Sequence, residues 1–123
     1  MRILIVDDDP MAAEMISSIL QELGHSVLLA QDGMDAVGHL NTDATIEMVV
    51  SDMNMPLITG IDLFRELREQ GSTLPFILLT GDDPAKLLAL EPRLGACVMK
   101  DFDLDSTLPV AIAQACTLTA TKA

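Results

Sequence analysis

Aromatic side chains are nearly missing from this chain: it has three Phe, no Trp and no Tyr among 123 residues. The core must therefore be assembled from Leu, Ile, Val, Met and Ala. A cofactor that stacks on indole or phenol rings, such as a flavin, finds no platform. Basic residues are also few. Seven Lys and Arg stand against nineteen Asp and Glu, a formal net charge of −12. A surface this acidic repels phosphates, which argues against nucleic acid and anionic membranes as direct partners. Cysteine is limited to Cys97 and Cys116, which make neither a metal-ligand spacing nor a disulfide framework. Both are expected to be buried thiols in a reducing compartment. His25 and His39 are isolated and read as ordinary surface or boundary residues. No apolar run approaches the length of a bilayer span. Met1 leads straight into a strand-like segment, with no basic region or small-residue cleavage site, so no signal peptide and a cytoplasmic location are expected.

What is present is half hydrophobic and of the length of one domain, residues 1–123. Arg2-Ile3-Leu4-Ile5-Val6-Asp7 reads as a strand buried on both faces and ended by acids. Asp9 is placed to cap a helix with Pro10 at its first position, and Gly24 to close it after an apolar series from Met11 to Leu23. Ser26 to Ala30 is a second strand. Asp32-Gly33 opens a helix carrying Ala36, Val37 and Leu40, and Ile46 to Ser51 is a third strand. Ile61, Leu63, Phe64 and Leu67 mark a third helix, and Phe76 to Thr80 a fourth strand. A short fourth helix runs from Pro84 until Pro92 ends it. Gly95 to Lys100 is a fifth strand. Asp105 or Ser106 is expected to cap a last helix, with Pro109 in its first turn. The tail, about 118–123, is expected to fray. Strand and helix alternate five times, which specifies an α/β fold: a five-stranded parallel sheet covered by helices on both faces.

Four strand ends bring polar groups to one edge, where open α/β sheets place their sites. The first brings Asp7 and Asp8, the third Asp52, the fourth Thr80 and the fifth Lys100. Taken singly, Asp8 is a helix-capping acid, Asp52 a strand terminus and Lys100 a surface cation. Taken together, three close carboxylates repel one another and are tolerable beside a cation. Oxygen ligands alone suit a hard ion such as Mg²⁺.

With these pieces in place, the chain resembles the receiver domain of two-component response regulators over essentially its whole length. The resemblance rests on Ile5-Val6-Asp7-Asp8-Asp9-Pro10, Ser51-Asp52-Met53-Asn54-Met55-Pro56 with Gly60, Leu79-Thr80-Gly81, Gly95-Ala96 and Lys100. It implies a flavodoxin-like (βα)₅ three-layer sandwich of strand order 2-1-3-4-5. It also implies a signalling domain that takes part in its own phosphorylation, not an enzyme in the usual sense. Asp52 would be the phosphoacceptor. Asp7, Asp8, Asp52 and the backbone carbonyl of Asn54 would hold Mg²⁺ or Mn²⁺. Thr80 would hydrogen-bond the phosphoryl oxygen, and Lys100 would pair first with Asp52 and then with the acyl phosphate. The donor would be a sensor histidine kinase or histidine phosphotransfer protein. The output would be a downstream protein, an attached output domain or a dimer.

Two positions depart from that pattern. Asp101 stands where the family usually has proline after the lysine, so a trans peptide is expected, as is a carboxylate competing for Lys100. Cys97 replaces the usual aromatic residue of the fifth strand. Both departures motivate an alternative, a receiver-fold binding module that works without phosphorylation. An aspartyl phosphatase lacks support because Asn54, not an acid, follows Asp52 by two residues. For contacts, Met11, Ala12 and Met15 on the first helix and Leu87, Leu88 and Leu90 on the fourth are candidates, with core packing the expected role of Met15 and of the three leucines.

Overall fold

The computed structural model describes residues 1–122 apart from Phe102, with side chains 117–122 left undescribed. The expected fraying at about 118–123 therefore lies outside the described residues. Five strands, β1 (Arg2–Val6), β2 (Ser26–Ala30), β3 (Met48–Asp52), β4 (Phe76–Thr80) and β5 (Ala96–Met99), alternate with five helices. The helices are α1 (Pro10–Glu22), α2 (Gly33–Thr42), α3 (Gly60–Glu69), α4 (Pro84–Leu90) and α5 (Leu104–Lys122). All neighbouring strands are parallel, in the order β2-β1-β3-β4-β5.

Alternation along each strand divides the core in two. Ile3 and Ile5 of β1 face α1 and α5, against Ile16, Leu20, Leu108 and Ile112. Leu4 and Val6 face the other way, into a cluster with Ala36, Leu63, Phe64, Leu67 and Leu87 from α2, α3 and α4. Successive side chains of a strand point to opposite faces, so a run of aliphatics serves both layers. Two of the three aromatics meet here: the Phe64 and Phe76 rings pack edge to face at 5.3 Å.

Local chemistry sets most boundaries. Asp9 caps α1, accepting from Met11 N at 3.0 Å ahead of Pro10. Thr59 and Asp62 form a reciprocal capping box at α3. Gly24 and Gly71 take positive φ where α1 and α3 end. α4 stops at Leu90, and Glu91, before Pro92, has φ −140° and ψ 84°, outside the helical region as a residue before proline prefers.

Several expectations shift. β3 begins at Met48, where pairing with Ile3 starts, so Ile46 is buried ahead of the strand and Asp52 is its last residue. α5 begins at Leu104, not after Asp105 or Ser106. The Asp103 carbonyl already accepts from Ser106 N and Thr107 N at 2.9 and 3.0 Å. Pro109 thus falls inside the helix and leaves the Asp105 carbonyl without its usual helical donor. Met15 is exposed on α1, and Leu88 and Leu90 are exposed on α4, while Leu87 alone of that trio is core. Each lies on the face its helix turns from the sheet. Cys97 and Cys116 are only partly buried.

Glu91 locks the short α4 to α3. Its carboxylate accepts from Arg65 Nε at 3.0 Å and from Arg93 Nη2 at 2.8 Å. Arg68 and Arg93 in turn lie over the Phe64 ring, at 4.5 and 5.6 Å from its centre. The hydrogen bonds from Arg93, joined by those from Arg65 and opposed by burial, lower the Glu91 pKa from 4.5 to about 2. A lowered folded-state pKa contributes stability above the unfolded value and loses it as pH falls toward the folded one. Both arginines are about half exposed, so water screens the pair. Glu91→Gln should therefore cost only about 1 kcal/mol at neutral pH. In urea unfolding followed against pH, that difference should shrink as pH falls from 4.5 to about 2.

Candidate functional site

The site forms where the strand order reverses, between β1 and β3, the point at which open α/β sheets leave a crevice. Register fixes its floor. Val6 pairs with Ser51, so Asp7 and Asp52 stand level on adjacent strands. Asp52 pairs with Leu79 and Thr80 with Met99, so Thr80 and Lys100 step outward along the same edge.

Each side chain is held by its element's end. Asp7 is buried, accepts from Asp9 N at 2.9 Å through Oδ1, and receives Lys100 Nζ on Oδ2 at 2.6 Å. Asp8 is exposed at the mouth. Asp52 is 8% exposed, and its backbone is clamped: Met53 N donates to Leu79 O at 2.8 Å and Ser51 Oγ to the Asp52 carbonyl at 2.9 Å. Thr80 is buried, and its hydroxyl oxygen accepts from Asp82 N at 3.0 Å. Lys100 N donates to Thr80 O at 2.7 Å, which extends the β4–β5 ladder to the lysine itself. Asn54 is exposed on the loop after Asp52, and Asp82 is exposed beyond Thr80.

One oxygen from each of Asp7, Asp8 and Asp52 lies within 4.8 Å of the others. Burial, which the Lys100 charge opposes and the neighbouring Asp7 and Asp8 charges reinforce, raises the Asp52 pKa above its ordinary value. For Lys100, burial works against the charge. Its hydrogen bond to Asp7 and the charges of Asp52 and Asp7 outweigh burial and raise its pKa, so it stays an ammonium.

The sequence-derived residues Asp7, Asp8, Asp52 and Lys100 thus converge, with Thr80 on the next strand end. Two details differ from expectation. Lys100 pairs first with Asp7, at 2.6 Å, and stands 3.5 Å from Asp52. Asp101 does not hold the lysine. Its Oδ1 accepts from Asp103 N at 2.9 Å, turning the chain into α5. The peptide bonds of the described residues are all trans. The Cys97 thiol is pushed up to about 11 by burial, so it is no nucleophile at neutral pH.

In the sequence Gly60 stands only as the glycine that follows the Asp52 motif. A Cβ there would meet the Asp52 carbonyl oxygen at 2.5 Å, Met53 Cα at 3.1 Å and the Leu78 side chain. Gly60 N also donates to Met53 O at 2.9 Å. The glycine lets the start of α3 rest directly on the end of β3. A glycine at the opening of a helix was the only signal in the sequence, and it says nothing about which backbone comes near.

A parallel α/β sheet with three carboxylates and a partly buried ammonium at its carboxyl edge defines a class, the flavodoxin-like domains with an acidic pocket. Within that class the chain belongs to the response regulator receiver domain family, whose model matches residues 3–111. It is 37% identical over 107 residues to the sensor histidine kinase RcsC of Escherichia coli strain K12, covering 85% of this chain and 11% of RcsC. It is 36% identical over 109 residues to the response regulator MprA of Mycolicibacterium vanbaalenii, covering 87% of this chain and 47% of MprA. The chain therefore spans half or much less of the length of these relatives. Among solved structures, the response regulator TrrA of Thermotoga maritima, in complex with Mg²⁺-BeF, superposes with a TM-score of 0.81 at 27% identity. That match covers 92% of this chain and 97% of TrrA. The receiver domain of a Syntrophus aciditrophicus signal transduction histidine kinase gives 0.79 at 31% identity, over 98% and 90%. The protein is thus a receiver domain of two-component signalling.

Gly60→Ala should destabilise the fold by about 1–3 kcal/mol, because the added methyl meets backbone that cannot yield. Chemical denaturation of the variant and the parent measures this. Gly38→Ala, whose added Cβ meets nothing within 4 Å, should show no such loss.

Proposed function

We propose that this domain is a phosphorylation-controlled switch that takes a phosphoryl group from a phosphohistidine onto Asp52. The observation that carries the reading is the convergence of Asp7, Asp8 and Asp52 within 4.8 Å beside the Lys100 ammonium. Three carboxylates and one ammonium leave an excess of negative charge, and an all-oxygen donor set suits a hard divalent cation. The residues present therefore fit Mg²⁺ or Mn²⁺, held by Asp7, Asp8, Asp52 and the Asn54 carbonyl. When bound, such an ion neutralises charge on the transferring phosphoryl group.

The chain's own residues supply the rest. An Asp52 carboxylate oxygen attacks phosphorus in line, forming the O–P bond as the P–N bond of the phosphohistidine breaks. The bonding pair stays on the departing nitrogen, and a proton on the ring's other nitrogen lets the imidazole leave neutral. The Lys100 stem lets its ammonium move from Asp7 toward a phosphoryl oxygen. The Thr80 hydroxyl accepts from Asp82 N, so its own proton is available to a second phosphoryl oxygen. A sensor histidine kinase or a histidine phosphotransfer protein is the donor. The output is a changed affinity for a downstream protein or an attached output domain. Asn54 and Asp82, both exposed at the mouth, admit and orient water, so the acyl phosphate hydrolyses without exceptional delay.

Incubation with acetyl phosphate and Mg²⁺, read by intact mass, should add one phosphate to the parent and none to Asp52→Asn. Lys100→Ala should slow the addition about 10²-fold, and chelation of the metal should stop it. Equal labelling of Asp52→Asn, or no labelling of the parent, would overturn the reading in favour of a phosphorylation-independent module.

A further inference from the structure

We propose that the trough between α2 and α3 docks a basic, amphipathic helix of a partner protein. The trough has a volume of about 510 Å³ and is open to solvent. None of Asp7, Asp8, Asp52, Thr80 or Lys100 lines it. Its floor is apolar, made by Met34 and Val37 of α2 and by Ile58 of the loop that precedes α3. Gly33 lacks the side chain that would exclude Ile58 from this position. Met34 is 71% exposed, a large apolar side chain left in water. Next to Ile58, Leu57 is 80% exposed and holds φ at 75°, a left-handed conformation rare for a branched L-residue. Strain and exposed apolar surface thus coincide in the residue next to Ile58 in the chain.

Charge selects the occupant. The rim on α3 carries Asp62, Glu66 and Glu69 against the single cation Arg65. Arg65 is already engaged, its Nε donating to Glu91 at 3.0 Å and its Nη2 to Leu90 O at 3.3 Å, so the rim acids outnumber a cation that is itself paired. What faces an occupant is an apolar floor with an acidic lip. A helix laying an apolar stripe into the floor, with Lys or Arg along one flank, satisfies both features. A second copy of this chain, with net charge −12, would set acid against acid. Anionic membranes and nucleic acid are repelled for the same reason.

The intact, isotope-labelled domain would be titrated with a helical peptide of about four turns, bearing leucines at i, i+3 and i+7 and lysines on the flanks. Amide shifts that saturate and cluster on α2, α3 and the loop before α3 are expected. A peptide with glutamate in place of each lysine should not bind. Met34→Ser combined with Glu66→Lys, both at exposed positions, should weaken binding about tenfold or more. The proposal is overturned if no shift saturates, if shifts centre elsewhere, or if both peptides bind equally. It is also overturned if the same amides shift on raising the domain's own concentration, which would assign the trough to self-association. None of these readouts depends on phosphorylation of Asp52.

Discussion

The ion pair between Lys100 and Asp7 joins the last strand to the first, and most of the site depends on it. Asp7 and Asp52 are almost fully buried on adjacent strands, so their charges have little water to relax in. Burial pushes the Asp52 pKa up, and the Lys100 charge opposes that shift. Lys100 reaches across the edge to both, at 2.6 and 3.5 Å, and its own charge is sustained by them. The sheet order makes this possible, because β1 and β3 are adjacent and β5 lies two strands beyond β3 on the same edge. The balance is incomplete, with three carboxylates against one ammonium. That residue of negative charge suits the pocket to a cation.

The near absence of aromatics shapes the rest of the molecule. With aliphatic strands the two core layers are filled by Leu, Ile and Val, and the two described Phe meet under α3. Arg68 and Arg93 cover the Phe64 ring, and Glu91, at the end of α4, holds Arg93 together with Arg65 of α3. A helix of seven residues is too short to hold itself by backbone hydrogen bonds alone. Leu87 and this charged cluster anchor it. At β5, Cys97 offers a small, partly buried group packed toward the α2–α3–α4 side. No ring stands on β5, whose residues Ala96 to Met99 are aliphatic or sulfur-bearing.

Periodicity and end signals in the sequence were enough for the five alternating units, the two-faced burial of the strands and the helix ends at Asp9 and Gly24. These are local properties: hydrophobic spacing, a proline or glycine, a carboxylate two or three residues before an amide. The same spacing put Asp7, Asp52, Thr80 and Lys100 at strand ends, and parallel strands carry their ends to one edge. Boundaries set by pairing were less legible. β3 starts where Ile3 offers a partner, and α5 starts where Asp101 and Asp103 turn the chain, ahead of the residues whose type suggested a cap. Exposure of Met15, Leu88 and Leu90 likewise followed from where each helix lies on the sheet, which an apolar side chain does not declare.

The sequence by itself thus determined the inventory and the order: which carboxylates, which hydroxyl and which ammonium reach the edge, because strand ends follow from local pattern. Tertiary structure decided the pairing. Lys100 chose Asp7 over Asp52, and Asp101 was spent on a turn, because distances of an ångström depend on register across the sheet. The Gly60 contact with the Asp52 backbone and the acidic trough between α2 and α3 are of the same kind. Each arises between segments far apart in character, where shape and proximity, not residue type, carry the information.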